Sequence, residues 1–320
     1  MSTFNIKTTN DNETTNDNNT KNDNNAKNDT NTKNDDNTKN DNNTKNDNNT
    51  KNDNNTKNDN KSCRDSFPVN KSENIVKLNI MPKIQEDWSL LDIVKNCTPS
   101  GWKTVFESAI DELKNIDRLL KKFVKKDGRY YPEKKNIFRA FELTPLNKVR
   151  VVIFGQDPYH NRNYTDKKIR AQGLSFSVSK NSDIPPSLKN IFKEIKNSIP
   201  NFKIPSHGDL SSWTRQGVLL LNTCLTVSPG QPGSHKKIWI GFIYLVIEEI
   251  INKNPNTIFV LWGKNAKDLN KIIRGRCNTL ESSHPSPFSA RRGFLGCNHF
   301  KIINDILIEN SQKPINWNLD

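Results

Sequence analysis

Residues 150–154 (RVVIF), 217–221 (GVLLL) and 257–262 (TIFVLW) are apolar at nearly every consecutive position and too short for helices. A half-exposed strand would alternate apolar and polar residues, so these runs suit strands covered on both faces, as in a parallel sheet. Stretches with helical spacing separate them, at 187–195, 238–252 and 266–274, and a fourth, weaker strand run covers 278–281. The alternation predicts an α/β fold: a central, mostly parallel four-stranded sheet flanked by helices on both sides, in a single domain. Upstream, the spacing from Trp102 to Val124 predicts one long amphipathic helix that ends before Asp127-Gly128, and a shorter helix covers about 135–143.

The first 60 residues cannot join such a fold. They hold 24 Asn and only four apolar residues, Met1, Phe4, Ile6 and Ala26, and a hexapeptide places Lys every six residues from Lys21 to Lys57. Too little apolar surface exists there to offset chain ordering, so 1–60 is expected to be a disordered low-complexity tail, 61–84 a linker, and 85–320 the folded domain. Charge divides the same way. The tail has 8 Lys against 11 acids, 8 − 11 = −3; the rest has 49 − 8 = 41 bases against 35 − 11 = 24 acids, or +17. A positive field of that size suits an anionic partner.

Other classes drop out. No run approaches the ~18 apolar residues of a membrane span, and the polar start MSTFNIKTTN lacks the core of a secretory signal. Five widely spaced cysteines, Cys63, Cys97, Cys224, Cys277 and Cys297, form no C-x-x-C pair and read as reduced thiols, so no metal or cofactor is expected. The expectation is a soluble intracellular protein without membrane contact, placed in the nucleus, with an organellar form as the alternative. Asp11, Glu13 and Asp17 are acidic where organellar presequences are not.

Ligands of open α/β sheets bind beyond the carboxyl ends of the strands. After Phe154 comes Gly155-Gln156-Asp157-Pro158-Tyr159-His160; after Leu221, Asn222; after Trp262, Gly263-Lys264; after Glu281, His284-Pro285-Ser286-Pro287-Phe288. A carboxylate, an amide, an imidazole and an aromatic ring are the groups that chemistry uses. GQDPYH at 155–160, GLSFSV at 173–178, HGDLSSWTRQGVLLLN at 207–222, LWG at 261–263 and HPSP at 284–287 together resemble the motif set of family 1 uracil-DNA glycosylases, in that family's order, from about residue 86 to the end.

The resemblance implies a monofunctional, metal-free hydrolase that flips uracil out of single- or double-stranded DNA, cleaves its N-glycosidic bond and initiates base excision repair as a monomer. It assigns Asp157 to positioning water and offsetting charge on an oxocarbenium-like sugar, and His284 to donating, as a neutral imidazole, to uracil O2. His160 supports the water loop. Asn222 matches uracil N3–H and O4 and mismatches cytosine, Tyr159 excludes the thymine methyl, Phe176 stacks under the base and Gln156 walls the pocket. Pro185, Pro186, Ser187, Gly263, Lys264 and Ser286 are expected to hold phosphates, with Phe288 and Arg291 in the loop that enters the stack.

Four positions depart from the family pattern. Phe288 stands where leucine is usual, Arg291 where tyrosine is frequent, Lys264 where serine is frequent, and Gln172 where histidine is common. The segment from Asn161 to Ala171 is longer by about six residues; it is expected to bulge into solvent, with Lys167, Lys168 and Arg170 placed for a phosphate contact. Two rivals remain: a related glycosylase for mismatched or damaged bases, against which Tyr159 and Asn222 argue, and a catalytically silent DNA-binding protein, against which Asp157 and His284 argue.

Overall fold

The computed structural model describes residues 83–85, 87–162 and 168–319. The tail of 1–60, the linker up to 82, Cys63 and Lys167 lie outside the described residues. The described chain begins with α1 (Leu90–Cys97), α2 (Lys103–Ser108), α3 (Ile110–Asp127) and α4 (Arg139–Leu143). The sheet region then runs β1 (Val151–Gly155), α5 (Pro186–Ser198), α6 (Ser211–Thr214), β2 (Val218–Asn222) and α7 (Lys236–Lys253). It continues through β3 (Ile258–Trp262), α8 (Lys264–Lys267), α9 (Asn270–Ile273) and β4 (Asn278–Ser282) to α10 (His299–Glu309).

The four strands form one sheet in the order β2-β1-β3-β4, and every pairing is parallel. All residues of β1, β2 and β3 are buried, which is why their sequences run apolar without alternation. β4 lies at the edge and is only partly covered, so its run is weak and carries Glu281. α7 buries Trp239, Phe242, Ile243, Val246, Ile247 and Ile250, and packs against α2 and α3. Each such side chain contributes about 1.5–3 kcal/mol relative to exposure. Trp102, Phe106, Phe138 and Phe141 join Trp239 and Phe242 in one edge-to-face aromatic cluster.

Several expected elements are divided differently. The single helix over 102–124 is two, because Ala109 leaves helical geometry at φ −94, ψ 8. The buried stripe of Val105, Phe106, Leu113, Ile116 and Leu120 continues through the break, and no Gly or Pro marks it. The helix expected at 135–143 is a 3₁₀ turn followed by α4, and that at 266–274 is α8 and α9. α1 starts on a capping box, Ser89 with Asp92, in which each side chain bonds the other's backbone N–H. Among the described residues, Cys97, Cys224, Cys277 and Cys297 form no disulfide. Among the described residues, no helix is long and apolar enough to cross a membrane.

Candidate active site

The parallel sheet places the ends of β2, β1, β3 and β4 side by side. Gly155 at the end of β1 is in register with Asn222 at the end of β2, and Trp262 with Ser282. The loops beyond them enclose a cavity of about 230 Å³, lined among others by Gln156, Asp157, Tyr159, Phe176, Asn222 and His284. His160 and Ser187 also border it. Pro185, Pro186, Gly263, Lys264, Ser286, Phe288 and Arg291 lie outside that lining, and Phe288 is 90% exposed.

Two glycines set the spacing of these groups. A Cβ at Gly155 would lie 2.3 Å from Asn222 Oδ1 and 2.9 Å from Ser175 Cβ, so the amide of Asn222 can rest against this backbone only if residue 155 lacks a side chain. Gly263, at φ +84, allows His284 the same approach; a Cβ there would meet His284 Cβ at 2.9 Å. Gly155→Ala is therefore expected to displace the Asn222 amide and lower the single-turnover rate of the reaction carried out in this cavity about 10²-fold, the cost of an ångström-scale misplacement. A rate within twofold of the parent would show that Gly155 does not set this geometry.

Asp157 is partly buried, and desolvation pushes its pKa above the ordinary carboxylate value, against the opposing pull of the Gly233 N–H and of His160. The Gly233 N–H donates to Asp157 Oδ2 at 2.5 Å, and the Gly230 N–H donates to the His160 carbonyl at 2.9 Å. The loop at 228–235 thus fixes the carboxylate. That loop is itself anchored by buried His235, whose ring nitrogens bond Thr226 and Ser228, while the Ser228 hydroxyl donates to Asp127. Phe123 stacks on the His235 ring at 4.1 Å. None of these supports was expected from the sequence, although Gly230, Gly233 and His235 cluster in the short PGQPGSH stretch.

His284 has a legible protonation state. Its Nδ1 accepts from the Ser286 N–H at 3.0 Å, and an acceptor nitrogen carries no proton. The neutral ring therefore bears its hydrogen on Nε2, and burial lowers the pKa of the imidazole. Ser289 Oγ donates to the His284 carbonyl, and Asn190 on α5 donates to the Pro285 carbonyl, which ties the loop to the body.

The remaining wall is equally constrained. Phe176 takes a left-handed backbone, φ 62, which costs about 1–3 kcal/mol outside glycine and is held by its surroundings. Its carbonyl accepts from the Tyr159 hydroxyl at 2.9 Å, and its neighbour Ser175 bonds strands β1 and β2. The Phe176 ring lies 5.9 Å from His284 and 5.7 Å from Trp262. Burial pushes the Tyr159 phenol up, so it stays a neutral donor. Gln156 Oε1 accepts from Asn265, which in turn accepts from Lys236.

One expectation is corrected, at Arg170. Residues 163–167 of the segment after His160 lie outside the described residues; on either side of them Arg162 and Ile169 form an antiparallel bridge, and Arg170 and Ala171 are buried. Arg170 is 5% exposed and acts electrostatically on Tyr159, so it is not a phosphate contact. Among the described residues, no group of three or more His, Cys, Asp or Glu could hold a metal ion.

With this geometry established, similarity to known proteins decides the family. A model of the uracil DNA glycosylase superfamily matches residues 141–308. The chain belongs to that superfamily. It is 53% identical over 191 residues to the uracil-DNA glycosylase of Francisella tularensis subsp. novicida (strain U112), covering 59% of this chain and 84% of that one. The crystal structure of mimivirus uracil-DNA glycosylase superimposes with a TM-score of 0.65 at 28% identity, covering 72% of this chain and 94% of the other. A mimivirus variant in complex with UGI gives the same score at 29% identity, with 68% and 88% covered. The superfamily match begins in α4 and ends in α10, so it encloses the sheet and every strand-end loop described above.

Proposed function

We propose that this chain removes uracil from DNA as a monofunctional glycosylase, taking the base out of the stack into the cavity at the strand ends and hydrolysing its N-glycosidic bond. General uracil excision follows from superfamily membership. The observation that carries the finer reading is the meeting of Asp157, Asn222 and a neutral His284 in one cavity sized for a small ring. As the bond breaks, positive charge grows on the sugar and negative charge on uracil O2. Asp157, held by Gly233, directs water and offsets the first; the Nε2–H of His284 meets the second without transferring its proton.

Selectivity follows from the walls. The Asn222 amide offers one donor and one acceptor to O4 and N3–H, Tyr159 fills the space a 5-methyl would need, and Phe176 stacks on the ring. Ser187 at the start of α5, the backbone about Gly263 and Ser286, and exposed Lys264 and Arg291 are suited to phosphates. Exposed Phe288 is an apolar wedge of the kind that enters an opened base step. No lysine lines the cavity among the described residues, which leaves no amine there for a Schiff-base lyase step.

The test is incubation of a uracil-containing oligonucleotide with the protein in EDTA, with and without later alkali. Breaks at uracil only after alkali are expected, and none at thymine or cytosine. Absence of any break would overturn the glycosylase reading, and breaks without alkali would overturn the monofunctional one.

A further inference from the structure

The loop from His284 to Asn298 carries the imidazole that lines the cavity and, beyond it, exposed Phe288; its far end is held by a residue outside the cavity lining. Glu194, on α5, is fully buried. Its Oε2 accepts from the Gly296 N–H at 2.6 Å and its Oε1 from the Asn298 N–H at 2.8 Å, partners 102 and 104 residues away in sequence. Neither N–H has a backbone acceptor among the described residues. A buried carboxyl group is costly unless its oxygens are bonded, and here each takes a donor that the turn itself leaves unpaired.

The near end of the loop is tied to the same helix. Asn190, one turn before Glu194, donates to the Pro285 carbonyl at 2.8 Å, and Ser187 at the start of α5 borders the cavity. Positions 187, 190 and 194 share one face of a helix, so α5 is a strut that runs from the cavity to both ends of the loop. Within the loop, the Ala290 N–H donates to the Ser286 carbonyl at 2.8 Å and the Leu295 N–H to the Ala290 carbonyl at 2.9 Å. Buried Phe294 packs edge-on against Trp262, with ring centres 5.0 Å apart. Exposed Phe288 makes little contact of its own, so its place is set by this backbone.

We propose that Glu194 is a positioning residue that holds the loop closed on α5, so that Phe288 meets a duplex already in place. The proposal rests on the glycosylase activity and on Phe288 as its wedge. A wedge ordered in advance avoids the cost of ordering a loose loop on binding. A base in single-stranded DNA is already unpaired and has less need of a wedge. His284 is fixed from the near end, by Ser286, Ser289 and Asn190, so release of the far end leaves the imidazole where it is.

Glu194→Gln keeps one acceptor and turns an amide N–H against the other backbone donor. In the full-length chain, single-turnover excision should fall about tenfold or more from a duplex with uracil opposite adenine, and less than about threefold from the same strand unpaired. Phe288→Ala should show the same split, and adding Glu194→Gln to it should slow the duplex reaction no further. In the unaltered protein, where no folding defect enters, the amides of Gly296 and Asn298 should exchange hydrogen slowly although both residues are exposed. Equal slowing on both DNAs, further slowing in the double variant, or rapid exchange at these two amides would overturn the role of Glu194 alone. No split in Phe288→Ala would overturn the wedge, and a parent that excises uracil from neither DNA would overturn the glycosylase activity; either result removes the proposal as well.

Discussion

Asp157→Asn should yield a protein that still binds uracil-containing DNA, melts at a higher temperature than the parent, and excises uracil about 10²–10⁴-fold more slowly. In the mechanism we propose, the loss of rate follows from the missing negative charge beside the sugar and the weaker hold on water. The gain in stability follows from burial. Desolvation raises the pKa of Asp157 in the folded protein, so ionising it disfavours the fold. The contribution of the protonated acid is fully present below the ordinary carboxylate pKa and is lost as pH rises through the raised folded value. At neutral pH the parent bears that cost, whereas an amide does not, and its oxygen can still accept from the Gly233 N–H. The difference in melting temperature should therefore shrink towards zero in acid, below the ordinary carboxylate range.

Activity has the opposite dependence on pH. It should fall as pH drops through the raised pKa of Asp157, while His284, with its pKa lowered, remains neutral to lower pH. Thermal melts of both proteins across this range, with single-turnover excision assays, check each part. Unchanged melting with undiminished rate would refute the role assigned to this carboxylate, whereas a higher melting temperature with a lost rate is the trade-off of a catalytic group kept at the expense of stability.

The parts legible in the sequence were those with a local signature. β1, β2 and β3 announce themselves because burial on both faces demands consecutive apolar residues, and the groups after them fall where a parallel sheet places ligand-binding loops. β4 is faint because an edge strand needs no such continuity. α1 was not anticipated: Ser89 and Asp92 cap its start, but its apolar stripe is too short to stand out by periodicity. The support of Asp157 by Gly233 was beyond reach for another reason: the partners are 76 residues apart, and a backbone N–H is offered by almost any residue. Arg170 shows the converse error. A basic residue in an insertion suggests solvent and phosphate, whereas the Arg162–Ile169 bridge turns the end of that segment inward towards Tyr159. Local composition cannot show this, because it depends on the pairing of two segments across a loop.

Asn222→Asp should change base selectivity more than any other single substitution in the cavity. Asn222 is 6% exposed, so whatever it faces must complement its hydrogen bonds. A site that reads a donor and an acceptor rejects a mismatched ligand by about 10⁴–10⁵, since the buried groups would otherwise be left unpaired. Uracil presents O4 and N3–H, whereas cytosine presents an amino group and an unprotonated N3. A carboxylic acid at position 222 can accept from the cytosine amino group through its carbonyl and donate to N3 through its hydroxyl. Burial disfavours the carboxylate and so favours the protonated form. Excision of cytosine should thus appear, increase relative to that of uracil as pH falls, and be accompanied by slower excision of uracil, narrowing the ratio of the two rates by about 10²-fold or more. The measurement is single-turnover excision from matched oligonucleotides that differ only in uracil or cytosine at one position, run at several pH values on variant protein whose melting curve remains cooperative. A ratio unchanged at every pH would mean that Asn222 does not read the base, and selectivity would have to reside in the backbone about Gln156 instead.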